Sequence, residues 1–225
     1  MSTSTATRTQ STSSASTGRA RPHAARRSER SRARRRRVGF LAAVAVAALV
    51  VAAVLAPWAD KAVQEVKLPL RHEDVIRQQA SDKSLDPALI AGVIYAESHF
   101  IDQTSSAGAK GLMQLMPETA DYIAAKSGGT AFVQGDLATP QVNISYGSWY
   151  LRYLLQKYDG REVLALAAYN AGEGKVDEWV AAASAGGERF RAADHIPFPE
   201  TRHYVAAVLD ARNEYRRTYK RELGL

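Results

Sequence analysis

No cysteine occurs in the sequence, which excludes disulfides and thiolate metal sites and removes redox chemistry as a clue to compartment. Long alternations of apolar and polar residues are also missing, so no strand of any length is expected. There is no G-x-S-x-G elbow to carry a serine nucleophile. His99, His195 and His203 lack the i, i+4 spacing around a Glu that a zinc helix needs, and no acidic calcium-loop spacing appears. Neither a metal nor another cofactor is therefore expected. Most of the chain also lacks a basic excess, although the net charge is +7. Eleven of the 30 Lys and Arg, but only one of the 23 acidic residues (Glu29), lie in residues 1–37, which leaves 19 basic against 22 acidic residues for the rest. That remainder offers no basic surface for nucleic acid, and none is expected as a partner.

What is present divides the 225 residues into a domain with appendages. Residues 1–37 are mostly Ser, Thr, Ala and Arg, with no large apolar side chain after Met1. Such a segment cannot bury enough surface to offset its ordering entropy, so it reads as a disordered tail. It ends in Arg34, Arg35, Arg36 and Arg37, and Val38 to Ala56 then run without a charge. Nineteen helical residues reach roughly 28 Å at about 1.5 Å each, close to the hydrocarbon thickness of a bilayer. A cleaved signal peptide is the alternative, but the apolar region is long for one, and Pro57 disfavours cleavage at the best small-residue site, after Ala56. The expectation is a single transmembrane helix over 38–57, with Trp58 at the interface. The arginines before it place the N-terminus in the cytoplasm and the rest outside the cytoplasmic membrane, with membrane lipids as their partners.

Residues 58–70 read as a linker and 71–225 as the globular domain. The domain reads as all-α, with about seven helices and no solenoid-length repeat. The first helix is expected over 72–81. A second is capped by Asp86 and opened by Pro87. The stretch around Ser105, Ser106, Gly108 and Gly111 reads as irregular backbone, and the GLMQLM string as an extended strip or turn. Pro117 opens a helix that Gly128 and Gly129 end; another runs from Thr139 and Pro140 to Asp159 and Gly160. A short one over 162–168 ends in a turn at Asn170 to Gly172, one follows Gly174, and a long one begins at Pro199.

The chemistry reads most clearly at Glu97. Ile90, Ile94 and Glu97 fall at i, i+4 and i+7, so the carboxylate shares an inward face with two isoleucines. Burial and the negative end of the helix dipole both disfavour its charge. A carboxylic acid that keeps its proton near neutral pH can act as a general acid. Asp86 reads as a cap and Asp102 as a loop residue, which leaves Glu97 with no convincing carboxylate partner.

Three strings in order, AES at 96–98, GLMQLMP at 111–117 and AYNAG at 168–172, resemble the lytic transglycosylase domain, a bacterial relative of goose-type lysozyme. The resemblance runs from about His72 to PFPETRHYV at 197–205. It implies a lysozyme-like all-α fold and peptidoglycan glycan strands as substrate, and it resolves the missing partner, because that family manages with one carboxylate. By that likeness Glu97 would protonate the oxygen between N-acetylmuramic acid and N-acetylglucosamine. It would then accept the proton of the muramyl 6-hydroxyl, leaving a 1,6-anhydromuramyl end. Ser105 would contact substrate substituents, Met113 and Gln114 would line the cleft floor, and Tyr169 and Asn170 would close the cleft. Glu200 and Tyr204 would add further contacts. Phe198 departs from the family, which often has Tyr there. Two other readings stay open at this point: a hydrolase using the same acid with water, and a glycan-binding scaffold that does not cut.

Overall fold

The structure, a computed structural model, describes residues 23–128 and 132–225. It divides into two compact units, Met1–Ala59 and Asp60–Leu225. The first 22 residues of the expected tail lie outside the described residues.

Helix α1 spans His23–Lys67 and contributes to both units. Its segment Arg37–Ala56 is long and apolar enough to cross a membrane, and none of it is buried against protein. Residues 23–37, expected to be disordered, continue this helix instead. They contain no Pro or Gly between Ala24 and Arg37 and are rich in Ala and Arg, both strong helix formers. The segment read as a linker is likewise helical as far as Lys67.

The second unit holds the core. From the last residue of α1, residues 67–69 form a strap tied by its carbonyls. Lys67 O accepts from Tyr95 Oη at 3.1 Å, Leu68 O from Tyr219 Oη at 2.7 Å, and Pro69 O from Tyr215 Oη. Helix α2, Glu73–Lys83, carries Glu73 and Asp74 in its first turn and Lys83 in its last, both matched to the helix dipole. Helix α3 is Pro87–Ser98. Its start follows the sequence expectation: Asp86 Oδ1 accepts the Ala88 N–H at 2.9 Å and Pro87 takes the first position. Its other end is strained, because His99 and Phe100 have φ of 52° and 61°, left-handed values that non-glycine residues seldom adopt. Phe100 is buried there against the Tyr215 ring, 5.9 Å between centroids.

Helix α4, Pro117–Ser127, stops at Gly128 in a left-handed conformation. An unanticipated 3₁₀ turn, Gln134–Ala138, leads into α5, Pro140–Lys157. Helix α6 is Glu162–Ala171, so it continues past the expected end at Ala168 and carries Tyr169 and Asn170 within the helix. Then come α7, Glu173–Ala185, the one-turn α8, Ala192–His195, and α9, Pro199–Thr218. Among the described residues there is no strand, only two isolated bridges, Thr104 with Lys110 and Lys110 with Leu115. They fold the GLMQ string back on the segment before it, as a strip rather than a helix.

The spine of the unit is α3 packed along α9. They meet closely because residue 92 is glycine: a Cβ there would stand 2.9 Å from Val208 O and 3.0 Å from Arg212 N. Arg216 of α9 also pairs with Asp86 at 2.7 Å, which fixes the near end of α3.

Candidate active site

Ile90 and Ile94 are fully buried, and Glu97 follows on the same face of α3, where it is only partly exposed. Two tyrosines face its carboxyl, Tyr169 from α6 and Tyr204 from α9. Burial pushes the Glu97 carboxyl up to about 7, against a smaller opposing pull from the Tyr204 hydroxyl. The carboxylate charge answers in kind: burial first, then Glu97, hold both tyrosine hydroxyls well above their ordinary range. The side chain therefore stands half protonated near neutrality, as a group that gives and retakes a proton requires.

The Tyr204 hydroxyl is sealed from solvent and makes no hydrogen bond of ordinary geometry. Expected as a substrate contact, it instead lies enclosed where it can turn to the Glu97 carboxylate. Met113, expected on the cleft floor, has its side chain fully buried among core residues. Its backbone serves the site instead, because Met113 O accepts from Tyr169 Oη at 3.0 Å. Gln114 is half-buried in a left-handed conformation, φ 45°, and donates its amide to Gln103 O at 3.0 Å and Gly111 O at 2.8 Å. Only its side-chain oxygen remains for a ligand. Ser105 sits in a tight turn, accepting the Ala109 N–H at 3.0 Å, so its hydroxyl proton is free to be donated. Asn170 is exposed and accepts from Thr201 Oγ1 at 2.7 Å, tying the end of α6 to the start of α9. Glu200 is exposed, one turn before Tyr204 on the same face of α9.

Sequence reasoning missed three things. Ser98, next to the acid, donates to Leu112 O at 2.7 Å, and the buried Asn143 accepts the Met113 N–H at 2.7 Å. A polar residue heading the otherwise apolar or small face of Asn143, Gly147 and Leu151 was the available signal. The third is a chain of rings from Tyr169 to Tyr150, Tyr153 and Trp149, with centroids 5.5, 6.2 and 5.7 Å apart. A cavity of about 790 Å3 lined by Lys67, Tyr95, Asp210 and Glu214 among others does not include Glu97. Among the described residues no three His, Asp or Glu side chains gather as a metal site would need.

Residues 74–190 match the transglycosylase SLT domain. The chain belongs to that family. It is 32% identical over 154 residues to the soluble lytic murein transglycosylase of Escherichia coli strain K12, covering 68% of this chain and 24% of that protein. It is 34% identical over 119 residues to the membrane-bound lytic murein transglycosylase F of Pseudomonas fluorescens, covering 50% of this chain and 22% of that protein. Among solved structures, an inactive mutant of lytic transglycosylase Slt from Pseudomonas aeruginosa superimposes with a TM-score of 0.63 at 35% identity, over 70% of this chain and 26% of the other. The 70-kDa soluble lytic transglycosylase in complex with bulgecin A gives 0.64 at 34%, over 69% and 25%. This chain thus spans about a quarter of the length of those relatives. The match confirms the resemblance drawn from the AES, GLMQLMP and AYNAG strings, and the lysozyme-like all-α expectation with it.

Proposed function

We propose that this SLT-domain chain is a membrane-anchored peptidoglycan lytic transglycosylase in which Glu97 does all the proton transfer. The observation that carries it is the Glu97 carboxyl, raised to about 7 by burial between two tyrosines. In its protonated form it gives its proton to the oxygen linking N-acetylmuramic acid to N-acetylglucosamine, and the bond from that oxygen to the muramyl anomeric carbon breaks. The substrate's own N-acetyl group answers the positive charge left behind, as in substrate-assisted glycosidases. Glu97, now a carboxylate, takes the proton of the muramyl 6-hydroxyl as that oxygen attacks the anomeric carbon. A 1,6-anhydro ring forms, no water is consumed, and the acid is restored.

A second carboxylate has no place in this scheme. Asp86 is committed to capping α3 and pairing with Arg216, and Asp102 is exposed in a loop. Ser105 through its hydroxyl proton, Gln114 through its side-chain oxygen and the exposed Asn170 and Glu200 side chains hold the strand, and the partly exposed Tyr169 closes the cleft beside them. The apolar segment Arg37–Ala56, preceded by arginines, supports anchoring in the cytoplasmic membrane with the second unit on the outer face. Membrane lipid headgroups then meet the arginines.

Mass spectrometry of isolated wall digested by the full chain tests the reading. Products should be lighter by one water than hydrolytic fragments and should resist borohydride. Exclusively reducible ends would instead establish a hydrolase, and strand binding with no release of fragments would establish a scaffold.

A further inference from the structure

The strip that carries the GLMQ string has no regular structure, yet Gly111, Leu112, Met113 and Leu115 are all buried. Its buried backbone groups therefore need partners from elsewhere. The peptide between Leu112 and Met113 is held at both of its polar ends. Leu112 O accepts from Ser98 Oγ at 2.7 Å, and Met113 N–H donates to Asn143 Oδ1 at 2.7 Å. Ser98 adjoins Glu97 on α3, whereas Asn143 stands on α5. The next carbonyl, Met113 O, accepts from Tyr169 Oη at 3.0 Å, and Tyr169 is one of the two rings facing Glu97.

Asn143 is the hub of this arrangement. It is fully buried, and its amide group also donates to Lys110 O at 2.9 Å and to Leu137 O at 3.1 Å. Residue 111 must be glycine for it to fit, because a Cβ there, at φ +76°, would overlap the Asn143 amide. One side chain thus grips the strip at two points and the preceding 3₁₀ turn at a third. An apolar residue at 143 would leave the buried Met113 N–H without an acceptor, so the amide holds the strip's path as well as its stability.

We propose that Asn143 is a positioning residue: by fixing the 112–113 peptide against Ser98 it fixes Met113 O, and so keeps the Tyr169 hydroxyl turned away from the Glu97 carboxyl. The inference rests on Glu97 as the proton donor, and it adds how the donor stays a donor. A tyrosine that donates to a carboxylate favours the charged form. With its proton committed to Met113 O, Tyr169 cannot do this, and of the titratable groups facing Glu97 only Tyr204 is left to stabilise the charge. Loosening the strip frees the Tyr169 hydroxyl and admits water, and both changes ease ionisation of Glu97.

The experiment titrates the Glu97 side-chain carboxyl by 13C NMR in the full-length chain in detergent, with glutamate labelling and assignment by Glu97→Gln. The variants are Asn143→Ala, Asn143→Asp, Ser98→Ala and, as a stability control, Leu89→Ala. Asn143→Ala and Ser98→Ala should lower the Glu97 midpoint by about half a pH unit or more. Asn143→Asp keeps the acceptor for Met113 N–H but turns an oxygen toward Lys110 O and Leu137 O, so it should restore the midpoint only in part. Leu89→Ala, far along the core, should lose melting temperature without moving it. On isolated wall the Asn143→Ala chain should lose kcat by about 10- to 100-fold with KM changed far less, the loss expected of a misplaced reacting group. If Asn143→Ala does not fold, Ser98→Ala alone decides, because it releases the other end of the same peptide. A midpoint unchanged in Ser98→Ala and in any folded Asn143→Ala overturns the proposal. The titration reads Glu97 without turnover, so a chain that cuts nothing while its Glu97 midpoint shifts would refute the enzymatic reading and leave the positioning role standing.

Discussion

Tyr204 of α9 holds its hydroxyl beside the Glu97 carboxyl of α3, inside the seam where the two helices pack. The hydroxyl is sealed from water and makes no hydrogen bond of ordinary geometry to any acceptor. Two effects of opposite sign therefore meet on one carboxyl. Burial raises its pKa, the adjacent hydroxyl lowers it, and burial wins, leaving a value of about 7. Gly92 makes the arrangement possible, since the close approach of the helices around it brings Tyr204 to this position.

Replacing Glu97 by Gln should abolish cleavage, by about 10²- to 10⁴-fold, the usual worth of a positioned acid. It should not harm the fold. A carboxyl whose folded pKa is raised contributes stability that is complete below its unfolded pKa of about 4.5 and is lost as pH rises through about 7. Glu97→Gln has no such loss, so its melting temperature should match wild type near pH 4.5 and exceed it above pH 7.5, a gap worth roughly 2–3 kcal/mol. Thermal melts of both chains across that range decide it; a variant less stable at every pH would mark Glu97 as a structural residue.

Tyr204→Phe removes the group that favours the Glu97 carboxylate. The Glu97 pKa should then rise further, and the alkaline limb of kcat/KM should move up by about half a unit to one unit. The fold should lose little, because the lost hydroxyl is buried without a good partner. A pH–rate profile that shifts down, or not at all, would remove Tyr204 from the proton-transfer machinery.

The sequence told much about this architecture because its punctuation is local. Asp86 and Pro87 open α3, Pro117, Pro140 and Pro199 open three more helices, and Gly128 closes one; each acts on its neighbours through φ, a missing N–H or a short side-chain bond. Glu97 was legible for the same reason, as a carboxylate on an isoleucine face. What escaped depends on contacts between distant residues. Met113 and Gln114 are adjacent, yet one is core and the other half-exposed, because Asn143, 30 residues on, sets which way the strip lies. The extension of α6 by three residues and the left-handed residues after Ser98 likewise come from packing and not from any local signal, whereas the helical course of residues 58–67, exposed wherever its burial is described, rests on strong helix formers such as Ala, Lys, Gln and Glu.

Asp86→Ala should separate stability from chemistry. It removes the cap on the Ala88 N–H and the ion pair to Arg216, at a cost of about 1–2 kcal/mol. Gly92→Ala should cost about 1–3 kcal/mol by forcing α3 off α9, and it displaces Tyr204 as well. Only the second should move the pH profile. Equal profiles in both variants, measured well below their melting temperatures, would mean that the α3–α9 spacing does not govern Glu97.

The strap at 67–69 makes a further claim about where the folded unit begins. Tyr215 is fully buried, and its hydroxyl, with those of Tyr95 and Tyr219, bonds the three strap carbonyls. Leu68 is buried beneath them. A fragment of residues 60–225 keeps every one of these contacts and loses the apolar segment Arg37–Ala56. It should stay in the soluble fraction, melt cooperatively and still cut isolated wall, while the full chain sediments with membranes. A fragment of residues 71–225 forfeits the strap, exposing the seat of Leu68 and leaving three hydroxyls to water or to nothing. It should be weaker by about 2–4 kcal/mol, a drop of roughly 5–15 °C in melting temperature for a unit of this size. Full chain found in the soluble fraction would sink the anchor, and equal melting of the two fragments would show that the strap rides on the unit without holding it.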